Sequence, residues 1–335
     1  MLPSPQAAMS DLPLVLDSAD VQRLLPRVSV MNAVSQAYEA LGRGEAVQPP
    51  QTLTLFPKGD GDFITYLGCL ASRGVFGAKL SPYISGEAGG VVTAWSVLMS
   101  METGAPLLLC DAKALTTERT AATTVLALDL LAPRQADVLC VVGAGPVGLA
   151  HLRLAKSMRP WRSIRLCSPS GADRPEVAAM RAADPSIQWF SDVAEAAQDA
   201  DVILLCTSSA RTVLDPTRLD RVAFVASIST NAPQAHEVPP AVLKDMDVYC
   251  DYRPTCPSVA GEMVLASASG DWSVERIRGD LPELLTKRAD RPTGERPVLF
   301  RTVGLGLADI AIAAAVLDAA RNLGGFAVSS VVSQV

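Results

Sequence analysis

The stretch Asp137–Ala150, DVLCVVGAGPVGLA, decides how the rest of the chain is read. Val138–Val142 is a continuous apolar run of strand length, rich in β-branched residues, and Leu149–Met158 reads as a helix apolar on one face. Between them stand Gly143, Gly145 and Gly148 in the spacing G-x-G-x-x-G, with Pro146 and Val147 inside it. The spacing alone is a weak signal, but strand, glycine turn and helix in that order predict a dinucleotide site. Gly143 permits the tight turn, Gly145 lets the main chain approach a pyrophosphate, and Gly148 lets helix and strand pack closely. The helix start offers unpaired N–H groups and a positive dipole end to phosphate.

Downstream of this unit, strands and helices alternate, the mark of a parallel sheet. Strands are expected at Ser163–Cys167, Ile187–Phe190, Asp201–Cys206, Val222–Ile228 and Val248–Cys250. Helical spacing covers Glu176–Ala183, Val193–Ala197 and the turn Leu281–Leu285. Upstream the pattern differs. Asp20–Leu41 is helical and split by Pro26. Then Thr52–Phe56, DFITYLG, VFGAKLSPY, VVTAWSVLMS and PLLLCD read as antiparallel strands. Leu115–Leu131 returns to helical spacing and Pro133 stops it. Leu305–Leu323 is a long, mostly apolar helix, expected to be buried between domains or subunits.

A chain of 335 residues can bury a large core and suits two domains. A net charge of −6 and the lack of any Lys/Arg-rich run argue against a nucleic-acid partner. No stretch reaches the ~18 uninterrupted apolar residues of a membrane span, and the opening MLPSPQAAMSDLP lacks the pattern of a signal peptide. The seven cysteines are odd in number and form no C-x-x-C pair. Reduced, buried thiols in a cytoplasmic protein fit this usage. His151 and His236 are the only histidines, so a metal site has almost no material.

Several blocks in order resemble the ornithine cyclodeaminase/μ-crystallin family: GAKLSPY, LTTERTAATT, the strand–GAGPVG–helix unit, ADVILLCTSS, NAPQAHE, SVAGEM and FRTVGLGLADIAIA. The resemblance covers nearly the whole chain. The wording VQPPQTLTLFP, LTTERTAATT and SISTNAPQAHEVPP is most similar to the branch of L-arginine dehydrogenases and Δ1-pyrroline-2-carboxylate reductases. It implies an α/β fold: a Rossmann NAD(P)-binding domain at 131–299, and an α+β substrate and dimerisation domain at 1–130 completed by 300–330. It also implies a homodimer with the site in the cleft between the domains.

The resemblance assigns Lys79 to the substrate carboxylate and to proton delivery; otherwise it is a surface lysine at a strand end. Arg119, expected at a helix start, has the planar fork that fits a carboxylate. A helix start repels a cation, so the alternative is a surface pair with Glu118 or Glu102. Thr120 and Thr93 stand at family positions lining cofactor and substrate, or are chosen for propensity and capping. Gln51 replaces the arginine of many relatives, which removes one carboxylate-binding charge. Asn231 stands where cyclodeaminases place an aspartate, with Pro233 and Glu237 in register. Ammonia loss followed by ring closure moves protons repeatedly, and an amide cannot titrate. Hydride transfer to a preformed imine asks for orientation and one proton source.

The ribose 2′ position is read about 20 residues past the glycine turn, here in CSPSGADR. No carboxylate stands at Ser168, and Ser168, Ser170 and Arg174 could hold a 2′-phosphate, so NADP(H) is expected with NAD(H) tolerated. Thr207, after the strand DVILLC, should pass the nicotinamide side or cap a helix. Glu262 and Asp309, acidic in apolar surroundings, are structural, capping, domain-bridging or catalytic. His151 is expected to be solvated. His236 is a loop surface residue or a proton source near Asn231, and Trp95 is core or interface.

The expected function is an NAD(P)H-dependent oxidoreductase acting on the C=N or CH–NH2 group of an amino or imino acid. An ornithine cyclodeaminase with held NAD+ and a non-enzymatic NADPH-binding protein are the alternatives. Asn231 weighs against the first, and retention of both Lys79 and Arg119 against the second.

Overall fold

The computed structural model describes residues 12–86, 90–228 and 234–323. The chain divides into two compact units, Met1–Arg119 with Leu305–Val335, and Thr120–Gly304. Among the described residues each unit is built on one eight-stranded sheet.

The first unit opens with β1 (Leu14–Leu16), α1 (Ser18–Leu24) and α2 (Val30–Gly42). Its further strands are β2 (Ala46–Val47), β3 (Thr52–Leu55), β4 (Gly61–Leu70), β5 (Val75–Ile84), β6 (Val91–Val92), β7 (Trp95–Ser100) and β8 (Pro106–Asp111). The main order is β1-β8-β7-β5-β4-β2, with β3 on β4 and β6 on β5. Every pairing is antiparallel except β1 with β8. VVTAWSVLMS, expected as one strand, is two: Thr93 and Ala94 interrupt it, and β6 and β7 pair with different parts of β5. The helix α3 (Lys113–Leu131) follows β8 and carries the unit boundary after Arg119.

The C-terminal helix α10 (Gly306–Leu323) packs on β4, β5, β7 and α2 of the same unit. The sequence pattern predicted burial between domains or subunits. Burial is observed, but against the helix's own sheet, whose inner face is apolar enough to cover it. Close approach needs glycine on both sides: a Cβ on Gly68 would meet the Leu307 backbone, and one on Gly306 the Leu67 backbone. Gln48 Oε1 accepts from the Leu307 N–H at 2.8 Å, serving one of the donors that a helix start leaves open.

The second unit alternates β9 (Val138–Val142), α4 (Pro146–Met158), β10 (Ser163–Cys167), α5 (Pro175–Ala183), β11 (Ile187–Phe190), α6 (Val193–Ala197), β12 (Val202–Leu205) and β13 (Phe224–Ser227). It continues through β14 (Asp247–Cys250), α7 (Cys256–Val259), α8 (Gly261–Ser269), β15 (Ile277–Asp280), α9 (Leu281–Leu285) and β16 (Val298–Arg301). The order is β11-β10-β9-β12-β13-β16-β14-β15, every pairing parallel. β10 and β11 lie to one side of β9, and β12 and β13 to the other, so the switch point falls at the end of β9. β15, β16 and α8 were not expected from the pattern. β15 and β16 are four residues each and carry charge in IRGD and VLFR, which breaks an apolar run.

All seven cysteines are free, six of them buried. Among the described residues no helix is long and apolar enough to cross a membrane.

Candidate active site

The glycine turn lies at the switch point, where open parallel sheets take their ligands. Gly143 adopts φ +116°, and a Cβ there would meet the Cys206 carbonyl. A Cβ on Gly148 would collide with the Gly143 carbonyl oxygen. Gly145 behaves differently, because a Cβ there would meet nothing within 4 Å. The first and third glycines serve the fold, and the second keeps space clear in front of the helix. Gly145 is the N-cap of α4 and has no side-chain cap. The helix starts at Pro146, three residues before the pattern put it, because proline suits the first helical position. Pro146 is exposed and Gly145 faces open space, so the start of the helix is accessible, the arrangement that takes a phosphate. The residues present fit a dinucleotide.

Ser168 is half-buried and its Oγ donates to the Ser170 carbonyl at 2.7 Å. Arg174 Nη1 donates to the Ala144 carbonyl at 3.4 Å, so this guanidinium reaches back to the glycine turn. Thr207 caps no helix; its N–H and Oγ1 both donate to Glu237 Oε1, at 2.9 and 2.7 Å. Glu237 is fully buried and its Oε2 accepts from Ser227 Oγ at 2.9 Å. Burial pushes its carboxyl up, and the Thr207 and Ser227 donors and the Arg301 charge oppose that. Asn231 lies outside the described residues.

The first unit holds a second constellation. Lys79 sits in the middle of β5, not at a strand end, and is 1 % exposed. Arg119 is in the second turn of α3, away from the repulsive helix start, and is 5 % exposed. Neither is a surface cation. Both bind Asp309 on α10: Lys79 Nζ at 3.0 Å from Oδ2 and 3.1 Å from Oδ1, Arg119 Nε at 2.9 Å from Oδ1. Thr116 Oγ1 lies 3.3 Å from Nζ, and the ammonium stands 4.1 Å from the centroid of the Tyr66 ring. Burial lowers the Lys79 ammonium to about 8, against the pull of Asp309 and with the push of Arg119. Burial raises the Tyr66 phenol to about 12, with Arg119 opposing it. Two cations thus share one buried anion, an excess of one positive charge.

Thr120 is buried on α3, while Thr93 and Gln51 are half-buried in loop segments. The sequence did not mark Asp309 as the partner of either cation; the available signal was one carboxylate in the apolar run GLADIAIA. Glu262, also left open, is ion-paired with Arg301 Nε at 2.9 Å, both side chains buried. His151 was expected in solvent and is fully buried instead. Its Nδ1 lies 2.7 Å from the Val147 carbonyl, one turn back on α4, and burial lowers its pKa to about 4, with that hydrogen bond opposing. His236 is half-buried, with Nδ1 2.8 Å from the Gln234 carbonyl. Trp95 is 39 % exposed.

Residues 12–324 match the model of the ornithine cyclodeaminase/mu-crystallin family. The NAD(P)H-dependent anabolic L-arginine dehydrogenase DauB of Pseudomonas aeruginosa is 54% identical over 301 residues, covering 90% of this chain and 95% of that protein. A probable ornithine cyclodeaminase from Bordetella pertussis has a similar structure, with a TM-score of 0.83 at 27% identity over 95% of this chain and 100% of the other. So has the Thermococcus litoralis Δ1-pyrroline-2-carboxylate reductase, solved with NADH and L-proline, with a TM-score of 0.82 at 20% identity over 93% and 98%.

Proposed function

Because this chain belongs to the ornithine cyclodeaminase/mu-crystallin family, we propose that it is an NAD(P)H-dependent oxidoreductase acting on the C=N or CH–NH2 group of an amino acid. The observation that carries this reading is the buried excess of positive charge at Lys79 and Arg119, which one carboxylate does not neutralise. An amino or imino acid brings one carboxylate and would complete the balance. The 54% identity with an L-arginine dehydrogenase supports the reaction class and makes L-arginine the first amino acid to test.

Arg119 grips the substrate carboxylate with its guanidinium fork, Lys79 holds the same carboxylate and delivers a proton to the imine nitrogen, Thr93 and Gln51 line the substrate, and Thr120 lines the cofactor. The main chain at Gly143, Gly145, Pro146, Val147 and Gly148 holds the pyrophosphate. Ser168, Ser170 and Arg174 hold the 2′ end, which favours NADP(H) while NAD(H) is accepted. Thr207, fixed by Glu237, borders the nicotinamide side. When bound, the reduced nicotinamide supplies hydride to the imine carbon. Orientation and charge placement by these side chains account for the protein's share of the rate.

The outer face of the first sheet carries Leu67, Phe76, Leu80, Trp95 and Leu109, all exposed. An apolar face of this kind marks an interaction surface, and a homodimer is the occupant proposed. A monomer by light scattering at micromolar concentration would refute it. The reduced thiols suit the cytoplasm.

The function is tested by supplying the purified protein with NADPH or NADH and a panel of imino acids, and with NADP+ or NAD+ and L-amino acids. Stoichiometric consumption of nicotinamide supports the reading. Ammonia release and ring closure from L-ornithine without net turnover would instead make it a cyclodeaminase. Asn231→Asp examines the same boundary: gain of cyclodeaminase activity or a changed reductase rate is expected, and neither would empty the argument from the amide.

A further inference from the structure

Asp309 lies 230 positions from Lys79 and 190 from Arg119 in sequence, yet it is the carboxylate that the fold brings to both. It is 2 % exposed on a helix whose buried residues are otherwise apolar. Packing α10 on its sheet does not call for a charge, and a carboxylate buried there is costly unless it is paired. Its use of Arg119 is specific. Arginine ordinarily offers a carboxylate two parallel N–H bonds, whereas Asp309 takes Nε. No hydrogen bond or ion pair ties Nη1 or Nη2 to a described residue. The guanidinium is fixed in direction with part of its fork unspent.

Of the groups around Lys79, Asp309 holds its proton and Arg119 opposes it. Arg119 and Thr116 face it from α3, Tyr66 from β4 and Asp309 from α10. Ser96 is its neighbour on β7 and Cys110 stands beyond that on β8, its thiol pushed to about 12 by burial. Tyr38 of α2 acts on Arg119. Among these, Asp309 alone carries negative charge when the phenols and thiol are neutral.

We propose that Asp309 is the positioning residue of the carboxylate site, holding Arg119 by Nε so that the Nη pair is left for the substrate, and retaining the Lys79 proton until the imine nitrogen takes it. This rests on the roles given above to Lys79 and Arg119. In the proton step one N–H bond of Lys79 breaks and its electron pair stays on Nζ. The imine nitrogen lone pair forms the new N–H bond, giving an iminium ion and a neutral amine that regains its proton from water.

The test reads Lys79 directly. The chain has six lysines, and the other five (Lys58, Lys113, Lys156, Lys244, Lys287) are exposed. In protein labelled with 13C at lysine Cε, the Lys79 resonance is assigned by its loss in Lys79→Met. It should titrate near 8, well below the ~10.4 of an ordinary lysine. In Asp309→Asn this titration should move lower, and the alkaline limb of kcat/KM with it. A fall in kcat of about 100-fold, the low end for a lost proton donor, and a rise in KM for the imino acid should accompany it. Asp309→Glu should restore most of the titration and the rate. An unchanged Lys79 titration in Asp309→Asn, or a uniform loss of rate with no shift of the limb, overturns the proposal. If Asp309→Asn does not fold, Asp309→Glu decides: a Lys79 titration and a rate both kept near their wild-type values support it, and a reduced kcat with the titration unmoved overturns it. A wild-type protein that reduces no imino acid removes the functional reading, while the lysine titration still decides what Asp309 does.

Discussion

The two units bury charge in opposite ways. In the second, carboxylates outnumber cations: Glu237, Glu262 and Asp251 are fully buried, and Arg301 is the buried cation beside Glu262. The surplus is met by N–H and O–H groups. Asp251 Oδ2 accepts from Thr302 Oγ1 and from the N–H of Val303 and Gly304, each at 2.8 Å. Glu237 is met by Thr207 and Ser227. Arg301 spends its Nη1 on the carbonyls of Ser227, Ile228 and Thr302. In the first unit cations outnumber carboxylates, and the surplus is met by one hydroxyl and one ring face. The backbone closes charges of both signs here, with N–H groups on Asp251 and carbonyls on Arg301. In the second unit Asp251 and Glu237 have donors of their own, while in the first Lys79 and Arg119 share Asp309 and leave one positive charge over.

The difference can be broken most severely at Arg301. Arg301→Met strands Glu262 as an unpaired buried charge and should cost about 3–5 kcal/mol in urea unfolding. Adding Glu262→Leu should return much of that, because the cost lies in the orphaned partner. If Arg301→Met is neutral, the network is not structural. In the first unit the opposite balance is expected. Arg119→Met leaves the Lys79–Asp309 pair intact, so the fold should survive, while kcat/KM for an imino acid falls on the order of 100- to 1,000-fold through the lost charge-assisted bonds.

A titratable group separates the units further. His151 is buried neutral, with its pKa lowered from 6.5 to about 4. The unfolded chain binds a proton between those values that the folded chain refuses, so stability is lost as pH falls from about 6.5 to about 4 and is flat above. The loss reaches about 3 kcal/mol. His151→Leu should remove this acid-dependent part, read as the difference between urea midpoints at about pH 7 and about pH 4.5. The smallest effect sharpens the nucleotide site. Gly145→Ala enters open space at φ −79° and should leave the unfolding midpoint within ~0.5 kcal/mol. Its methyl group should weaken NADPH binding about tenfold, about 1.4 kcal/mol by calorimetry. Unaltered affinity would place the pyrophosphate elsewhere.

Much of the second unit is written in local pattern. Val138–Val142, Ser163–Cys167, Ile187–Phe190, Val193–Ala197 and Leu281–Leu285 have in the structure the bounds their periodicity predicts. Apolar runs and punctuating Gly and Pro act over a few residues, which is the range a pattern can report. β16 escaped because Arg301 ends its short apolar run, and only Glu262 from another part of the chain makes that arginine tolerable in the core.

The sequence by itself determined the glycine turn and the alternation around it, because these depend on residue type and short-range spacing; Lys79 and Arg119 were singled out by the family resemblance. Tertiary structure decided that Lys79 lies mid-strand under a helix, that His151 is sealed from water, and that Asp309 joins Lys79 to Arg119. Each of those is a contact between segments far apart in the chain, and whether a charge is solvated, paired or left over depends on which distant atoms the packing brings within a few ångströms of it.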